Sequence, residues 1–394
     1  MPRKKKDPNA EPVEQMAYRF CGIPSEQDMI LELKTFGCCR YYWNRSLGDH
    51  IFLYAEIGKV PNNTPADYKD LDECSWLKEV DSLALSNVQL NLETAFSRFF
   101  DKKSGYPKFK AKKSAKKSYT TNAVYRSNEK TGETTCNIKL DEVNGTLILP
   151  KHKDPIILHM HRKIRPGGKV KSVTVTLEPD GKWYYSILIE YPKTPVQKKE
   201  PKTMIGLDMS LPKLYVDDKG QSPDFPKPYR SMEPKLAKEQ RSLSRKKKGS
   251  KRYEKQRIKV AKLHAKAKHQ RADFLHKLSC YLTDQYDLIA IEDLDMSAIK
   301  QGLSFGKSVS DNGWGMFVDM LEYKSDRKGK HLVKIDRWFP SSKTCCHCGH
   351  VHKELTLSDR TYLCPKCGHV MDRDQQAAVN ILNEAIRMLQ ESAA

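Results

Sequence analysis

Met204-Ile205-Gly206-Leu207-Asp208-Met209 is the stretch on which the fold reading turns. An apolar run with β-branched character stops at a carboxylate, and Gly206 lets another backbone come close. Two further segments are built to meet it. Tyr286-Asp287-Leu288-Ile289-Ala290-Ile291-Glu292-Asp293-Leu294 reads as a second buried strand that ends on acids. Met371-Asp372-Arg373-Asp374-Gln375-Gln376-Ala377-Ala378 places acids where a helix starts. Residues 332–336 supply a third buried-type strand. Asp208, Glu292 and Asp374, carried by three distant segments, suit a site for two divalent cations, which need several carboxylates at one sheet rim. Taken singly, Asp208 also fits a strand-end turn, Glu292 a surface acid and Asp374 a helix cap. Asp293, Asp295 and Asp372 are the rival positions, and alternation along the strand turns Asp293 away from Glu292.

Around this centre lie 394 residues, room for two or three domains. The formal net charge of +21 and pI near 9.3 favour a polyanionic partner, nucleic acid first. Eleven cysteines, four of them in two C-x-x-C pairs, fit a reduced compartment with a metal site and exclude a disulfide framework. No apolar run of about 18 residues is present, so no membrane span is expected, and no signal peptide is legible. A cytoplasmic location is expected.

Residues 1–15 read as a polar, basic, disordered tail. Tyr18-Arg19-Phe20 reads as a short strand, and Ser25 as the cap of a helix with apolar residues at Met29, Ile30, Leu33, Phe36 and Cys39. Within that helix Trp43 reads as packing. Residues 61–72 are loop-like, and Ser82–Phe100 is a helix with a broad apolar face. A basic stretch interleaved with aromatics follows: Lys102, Lys103, Tyr106, Lys108, Phe109, Lys110, Lys112, Lys113, Lys116, Lys117 and Tyr119. Lysine runs alone are usually solvated faces, but interleaved rings suit phosphate contact and base stacking. Residues 119–192 turn β-rich, with turns at Asn144-Gly145, Gly167-Gly168 and Asp180-Gly181, and predict a small β-barrel or meander. Residues 194–202 form a Pro/Lys linker.

Beyond the Asp208 strand, Leu214-Tyr215-Val216 and the turn Asp217-Asp218-Lys219-Gly220 predict a hairpin. A helical tract over 233–285, interrupted near Gly249-Ser250, carries sixteen Lys or Arg against two Glu between Lys235 and Arg271. With little apolar periodicity there, a nucleic-acid duplex lying along it is expected to hold it. A polar loop with Gly302, Gly306 and Gly313 leads to a helix over 314–328. The last helix spans 374–389.

The strongest local signal is Cys345-Cys346-His347-Cys348, fifteen intervening residues, then Cys364-Pro365-Lys366-Cys367. Cys345, Cys348, Cys364 and Cys367 can direct four thiolates at one tetrahedral zinc ion, a closed and therefore structural site. Cys346 and His347 are non-ligands in this scheme.

These residues together resemble the TnpB family, transposon-encoded RNA-guided nucleases related to the compact type V CRISPR effectors. The resemblance covers nearly the whole chain. It rests on Phe36-Gly-Cys-Cys-Arg40 with Trp43-Asn44, Gly105-Tyr-Pro-Lys-Phe-Lys110 and Ser118-Tyr-Thr-Thr-Asn122. It continues through Ile205-Gly-Leu-Asp208, Leu243-Ser-Arg-Lys-Lys-Lys-Gly-Ser250, Asp273-Phe-Leu-His-Lys-Leu-Ser279 and Ile291-Glu-Asp-Leu294. Trp338-Phe-Pro-Ser-Ser-Lys-Thr-Cys345 and Asp372-Arg-Asp374 complete it.

The resemblance implies an α/β plus β architecture: a ribonuclease H-like (RuvC) nuclease domain over 203–340 and 371–394, with a zinc ribbon inserted at 341–370. It implies a β-barrel wedge over 16–31 and 119–193, and a helical recognition domain at 32–118. Asp208, Glu292 and Asp374 become the catalytic acids holding two Mg²⁺. A guide RNA from the transposon end pairs with target double-stranded DNA beside a short motif. Gln89, Thr121 and Asn122 map near that motif, and Lys110, Lys113, Arg245, Lys246, Lys247 and Lys248 are expected nucleic-acid contacts. One departure stands out: the family's usual Asn two residues after the last acid is Gln376 here. The alternatives are a catalytically impaired RNA-guided repressor, a compact CRISPR-associated effector and, as the weakest, a DNA-strand transferase.

Overall fold

Strand β1 (Val13–Ile23) begins where the sequence predicts a disordered tail through residue 15. Antiparallel pairing along its length, from Val13 opposite Pro192 to Gly22 opposite Trp183, orders it despite its polar start. The computed structural model describes residues 12–58, 63–113, 117–129, 132–193, 196–296, 298–299, 312–356 and 359–393. The basic start, Lys116, and the loop glycines Gly302 and Gly306 therefore lie outside the described residues. The chain divides into two units, Met1–Thr194 and Pro195–Ala394.

In the first unit, helix α1 (Glu26–Ile57) starts at Ser25, whose hydroxyl accepts from the Asp28 amide at 3.3 Å. It runs unbroken through residue 31, so the predicted boundary between wedge and recognition domain falls inside one helix. Part of the predicted loop is helical: α2 (Pro65–Lys69), held by a Thr64–Asp67 capping box, precedes a 3-10 helix over Asp72–Glu79. Helix α3 (Ser82–Phe100) has the predicted limits, with Asp81 capping the Leu83 amide.

Eight further strands follow: β2 (Lys117–Asn122), β3 (Tyr125–Ser127), β4 (Thr134–Cys136), β5 (Lys139–Asp141), β6 (Thr146–Ile148), β7 (Ile156–His159), β8 (Lys169–Leu177) and β9 (Trp183–Pro192). Seven strands form one sheet in the order β2-β8-β9-β1-β7-β6-β5, and β3 pairs with β4 apart from it. Where a barrel or meander is expected, the ladders run from β2 to β5 with no ladder pairing between these two strands among the described residues. Gly181 turns the β8–β9 hairpin at φ 87°. Phe20, Val173, Tyr185 and Ile187 from the sheet share a core with Phe36, Tyr42, Trp43 and Leu85 from the helices.

The second unit holds β10 (Met204–Ser210), β11 (Leu214–Asp217), α4 (Pro228–Ser244), α5 (Lys251–Gln285), β12 (Leu288–Glu292), α6 (Trp314–Lys328), β13 (His331–Ile335), β14 (Thr361–Leu363), β15 (Val370–Asp372) and α7 (Arg373–Ala393). The main sheet has the order β11-β10-β12-β13, with β10, β12 and β13 parallel and β11 antiparallel at the edge. Strand β11 pairs back onto β10 through residues 211–213, ahead of the predicted Asp217–Gly220 turn.

Period-two alternation sorts this sheet's residues between two covers. Ile205, Leu207, Ile289 and Ile291 pack with Leu275, Leu282, Trp314 and Phe317 from α5 and α6. Ala290 and Ile335 pack on the other face with Ile381 and Ala385 from α7. The result is a helix–sheet–helix sandwich. The basic tract is not held by charge alone. Leu236 and Val260 are buried, and buried Gln256 donates to the Glu239 carbonyl at 3.1 Å, tying α4 to α5 as a helical hairpin.

Candidate active site and metal centre

Register brings two acids side by side. Gly206 on β10 lies opposite Ala290 on parallel β12, so Asp208 and Glu292 are each two residues further along. By alternation both face the side covered by α7. Asp374 lies in the first turn of α7, one turn before Ala378, whose carbonyl lies against Gly206. The rival acids are otherwise engaged. Asp372 caps α7 by accepting from the Asp374 and Gln375 amides at 3.0 and 3.1 Å. Asp293 pairs with Arg337 at 2.9 Å, and Asp295 accepts from the Ala298 amide at 3.1 Å.

Asp208 lies within electrostatic reach of the other two acids. Burial pushes Asp208 well above the usual carboxylate range, and the charges of Glu292 and then Asp374 push it further, against Arg373. Burial also raises Glu292, opposed by the hydrogen bond from the Ser341 hydroxyl. The Arg373 guanidinium lies 3.3 Å from Asp374. Such a surplus of negative charge in a poorly solvated place suits a divalent cation, which would restore the ionised forms. Among the described residues only the four cysteines bring all their ligand atoms within 4.8 Å of one another.

The cysteine set is tight. Cys345 and Cys367 sulfurs are 3.7 Å apart, and Cys348 and Cys364 sulfurs 3.6 Å. Tetrahedral thiolates about 2.3 Å from zinc sit about 3.8 Å apart, so the four residues fit a zinc ion. Gly349 and Gly368, with φ of 71° each, let each knuckle turn. Antiparallel β14 and β15 extend this small module to Asp372, two residues past its predicted limit. Tyr362 and Leu355 complete its core. Cys346 stays outside the ligand set, 3.5 Å from His369 and 3.6 Å from the Gln376 side-chain oxygen.

The expected nucleic-acid contacts divide into free and engaged groups. Lys113, Arg245, Lys247 and Lys248 are exposed, and Lys246 is half-buried with its ammonium on Ser242. Lys110 departs from expectation: its ammonium lies 3.5 Å over the Trp43 ring, and its backbone is bonded on both sides by the Asn44 amide. Trp43 is buried, as predicted, and donates to the Lys108 carbonyl. Thr121 also departs: it is 1% exposed and its hydroxyl donates to Asp81, leaving it no free face. Tyr119, placed by the sequence among the stacking rings, is buried edge-on against Phe36. Gln89 and Asn122 are half-buried, Gln89 bonded to Glu93. Gln376 stands out in sequence only as a departure from the family's usual Asn and Ser341 only as part of the Trp338–Cys345 stretch, while Asn380, buried like them, carries no pattern that separates it from ordinary polar residues.

A family model described as "Probable transposase" matches residues 186–302, and one described as "Cas12f1-like, TNB domain" matches residues 314–381. A "Putative RNA-guided DNA endonuclease" of Streptomyces pristinaespiralis is 36% identical, over 93% of this chain and 88% of its own length. A "Putative RNA-guided DNA endonuclease InsQ" of Escherichia coli (strain K12) is 30% identical, over 93% of this chain and 91% of its own. The protein in a cryo-EM structure of a Cas12f1-sgRNA-target DNA complex shares the fold with a TM-score of 0.54 at 14% identity, over 95% of this chain and 99% of that one. Mimivirus TnpB-like proteins match shorter segments, 35% of this chain. The chain belongs to the TnpB family.

Proposed function

We propose that this protein is an RNA-guided DNA endonuclease whose second unit is a RuvC-like, ribonuclease H-like nuclease. The observation that carries the chemistry is the matched register of Asp208 and Glu292 on the face covered by α7, with Asp374 acting electrostatically on Asp208. Bound there, two Mg²⁺ ions would supply an activated water and stabilise the leaving 3′ oxygen of a DNA phosphodiester. Asp208, shared between both neighbours, would hold the ions together. Glu292 and Asp374 would flank them, and Arg373 would neutralise part of the charge at Asp374.

Target choice is delegated to base pairing with a guide RNA derived from the transposon end, beside a short target-adjacent motif. The exposed bases Lys113, Arg245, Lys247 and Lys248 would meet phosphates. Trp338, 85% exposed near Ser341, offers an indole face to a base. The protein would act at the nucleoid of a prokaryotic cytoplasm. Its relatives' names and the net charge of +21 support the reading of an RNA-guided nuclease that meets nucleic acid.

The test starts from protein co-expressed with its native flanking DNA. The co-purifying RNA is sequenced, and the complex is given Mg²⁺ and a plasmid library with a matching target beside randomised bases. A discrete RNA and depletion of one flanking motif are expected. Asp208→Ala should bind the same RNA and cut at least about 1,000-fold more slowly, as for loss of an essential electrostatic group. Persistent cutting by the pure variant would remove Asp208 from the site.

A further inference from the structure

Glu292 and α7 share a support in the root of the cysteine module, residues 341–346. The Ser341 hydroxyl donates to Glu292 Oε1, and the carbonyl of the same serine accepts from Asn380 Nδ2 at 2.7 Å. Asn380 Nδ2 also donates to the Thr344 carbonyl at 2.6 Å, and Gln376 Nε2 donates to that carbonyl at 2.9 Å. Gln376 Oε1 in turn accepts from the Cys346 thiol at 3.6 Å. Ser341, Gln376 and Asn380 are 6%, 0% and 5% exposed. Gln376 and Asn380 stand one turn apart on α7, and Asp374 lies two residues before Gln376. Thr344 directly precedes Cys345 of the four-sulfur set.

Two amides buried against one carbonyl specify geometry, because displacing either strands a polar group out of reach of water. One end of this chain of bonds reaches a carboxylate of the proposed nuclease site. The other reaches the knuckle that can hold zinc.

We propose that Ser341, Gln376 and Asn380 are positioning residues that hang Glu292 and the Asp374-bearing turn of α7 on the root of the zinc module. Ser341 occupies one Glu292 oxygen and fixes the rotation of the carboxylate, leaving the other for a cation. Gln376 and Asn380 fix where α7 begins relative to Ser341. The cysteine module thereby sets the spacing of two acids without touching the reacting phosphate. The proposal rests on the reading of Glu292 and Asp374 as cation-holding carboxylates.

The experiment uses full-length, zinc-replete protein with its bound RNA. Mn²⁺ binding is followed by electron paramagnetic resonance, and DNA cutting is titrated with Mg²⁺, for wild type, Ser341→Ala, Ser341→Thr and Asn380→Ala. Ser341→Ala is expected to raise the Mn²⁺ concentration for half-occupancy and the Mg²⁺ requirement about tenfold, the scale for losing a partner of a metal ligand. Its zinc content, melting temperature and RNA binding should match wild type, and Ser341→Thr should restore cation affinity. Should Asn380→Ala fail to fold, Ser341→Ala still decides. Unchanged Mn²⁺ affinity in Ser341→Ala overturns the proposal, even if cutting slows. Absence of cutting by wild type, with the Mn²⁺ shift present, overturns the nuclease reading and upholds the positioning role.

Discussion

At Gly206 the backbone of β10 approaches α7 closely. A Cβ built there would lie 2.2 Å from the Ala378 carbonyl oxygen and 2.9 Å from Leu382 Cβ. Because the first obstacle is backbone, α7 must move to admit even one methyl. Gly206→Ala is expected to lower stability by about 1–3 kcal/mol, read as a lower denaturant midpoint. It should slow cutting further than that loss explains, since the displaced helix carries Asp374. At this scale the sequence was most legible where a residue type meets a boundary, as with acids at strand ends and a helix start. It was least legible where a distant partner decides. Lys110 and Thr121 look available until Trp43 and Asp81 close over them.

The helical hairpin of α4 and α5 presents its charge at the connecting segment 245–250, where Arg245, Lys247 and Lys248 are exposed. Replacing Lys247 and Lys248 by Gln should weaken RNA binding. It should also flatten the salt dependence by about 0.7–0.9 per lost phosphate contact, measured as the slope of log K against log salt. Stability should hold, since Leu236, Gln256 and Val260 lie elsewhere in the hairpin. Elements with local signals were legible in advance. An apolar face marks α3, and Gly249-Ser250 marks the break before α5, whose first turn Ser250 caps. Strand β1 was read too short because its partner β9 lies far along the chain. Strands β14 and β15 have three residues each, Thr-Tyr-Leu and Val-Met-Asp, too few for a period to show.

At the scale of the whole chain, the four-cysteine module belongs to the second unit, while much of the basic surface lies outside it. Stripping zinc, then removing the chelator by gel filtration, should expose residues 345–372 to protease and abolish cutting. RNA binding should fall less than about threefold, a difference of under 1 kcal/mol. An equal loss of both would mean that the module holds the RNA itself.

Strand β1 also bears on how the molecule comes into being. It precedes both of its partners in the chain, yet it occupies the middle of its sheet, between β9 and β7. A ribosome adding about 5–20 residues per second needs on the order of 10–40 s to travel from Val13 to its partner Pro192. Until β7 is made both edges of the nascent strand lack a partner, and the edge that pairs with β9 lacks one for the whole interval, the condition in which chains seek the wrong neighbour. Polar residues along it, Glu14, Gln15 and Arg19 among them, are of the kind that guards an unpaired strand against aggregation. Assembly of the first unit is therefore timed by translation, and any pause upstream of β9 lengthens the exposure.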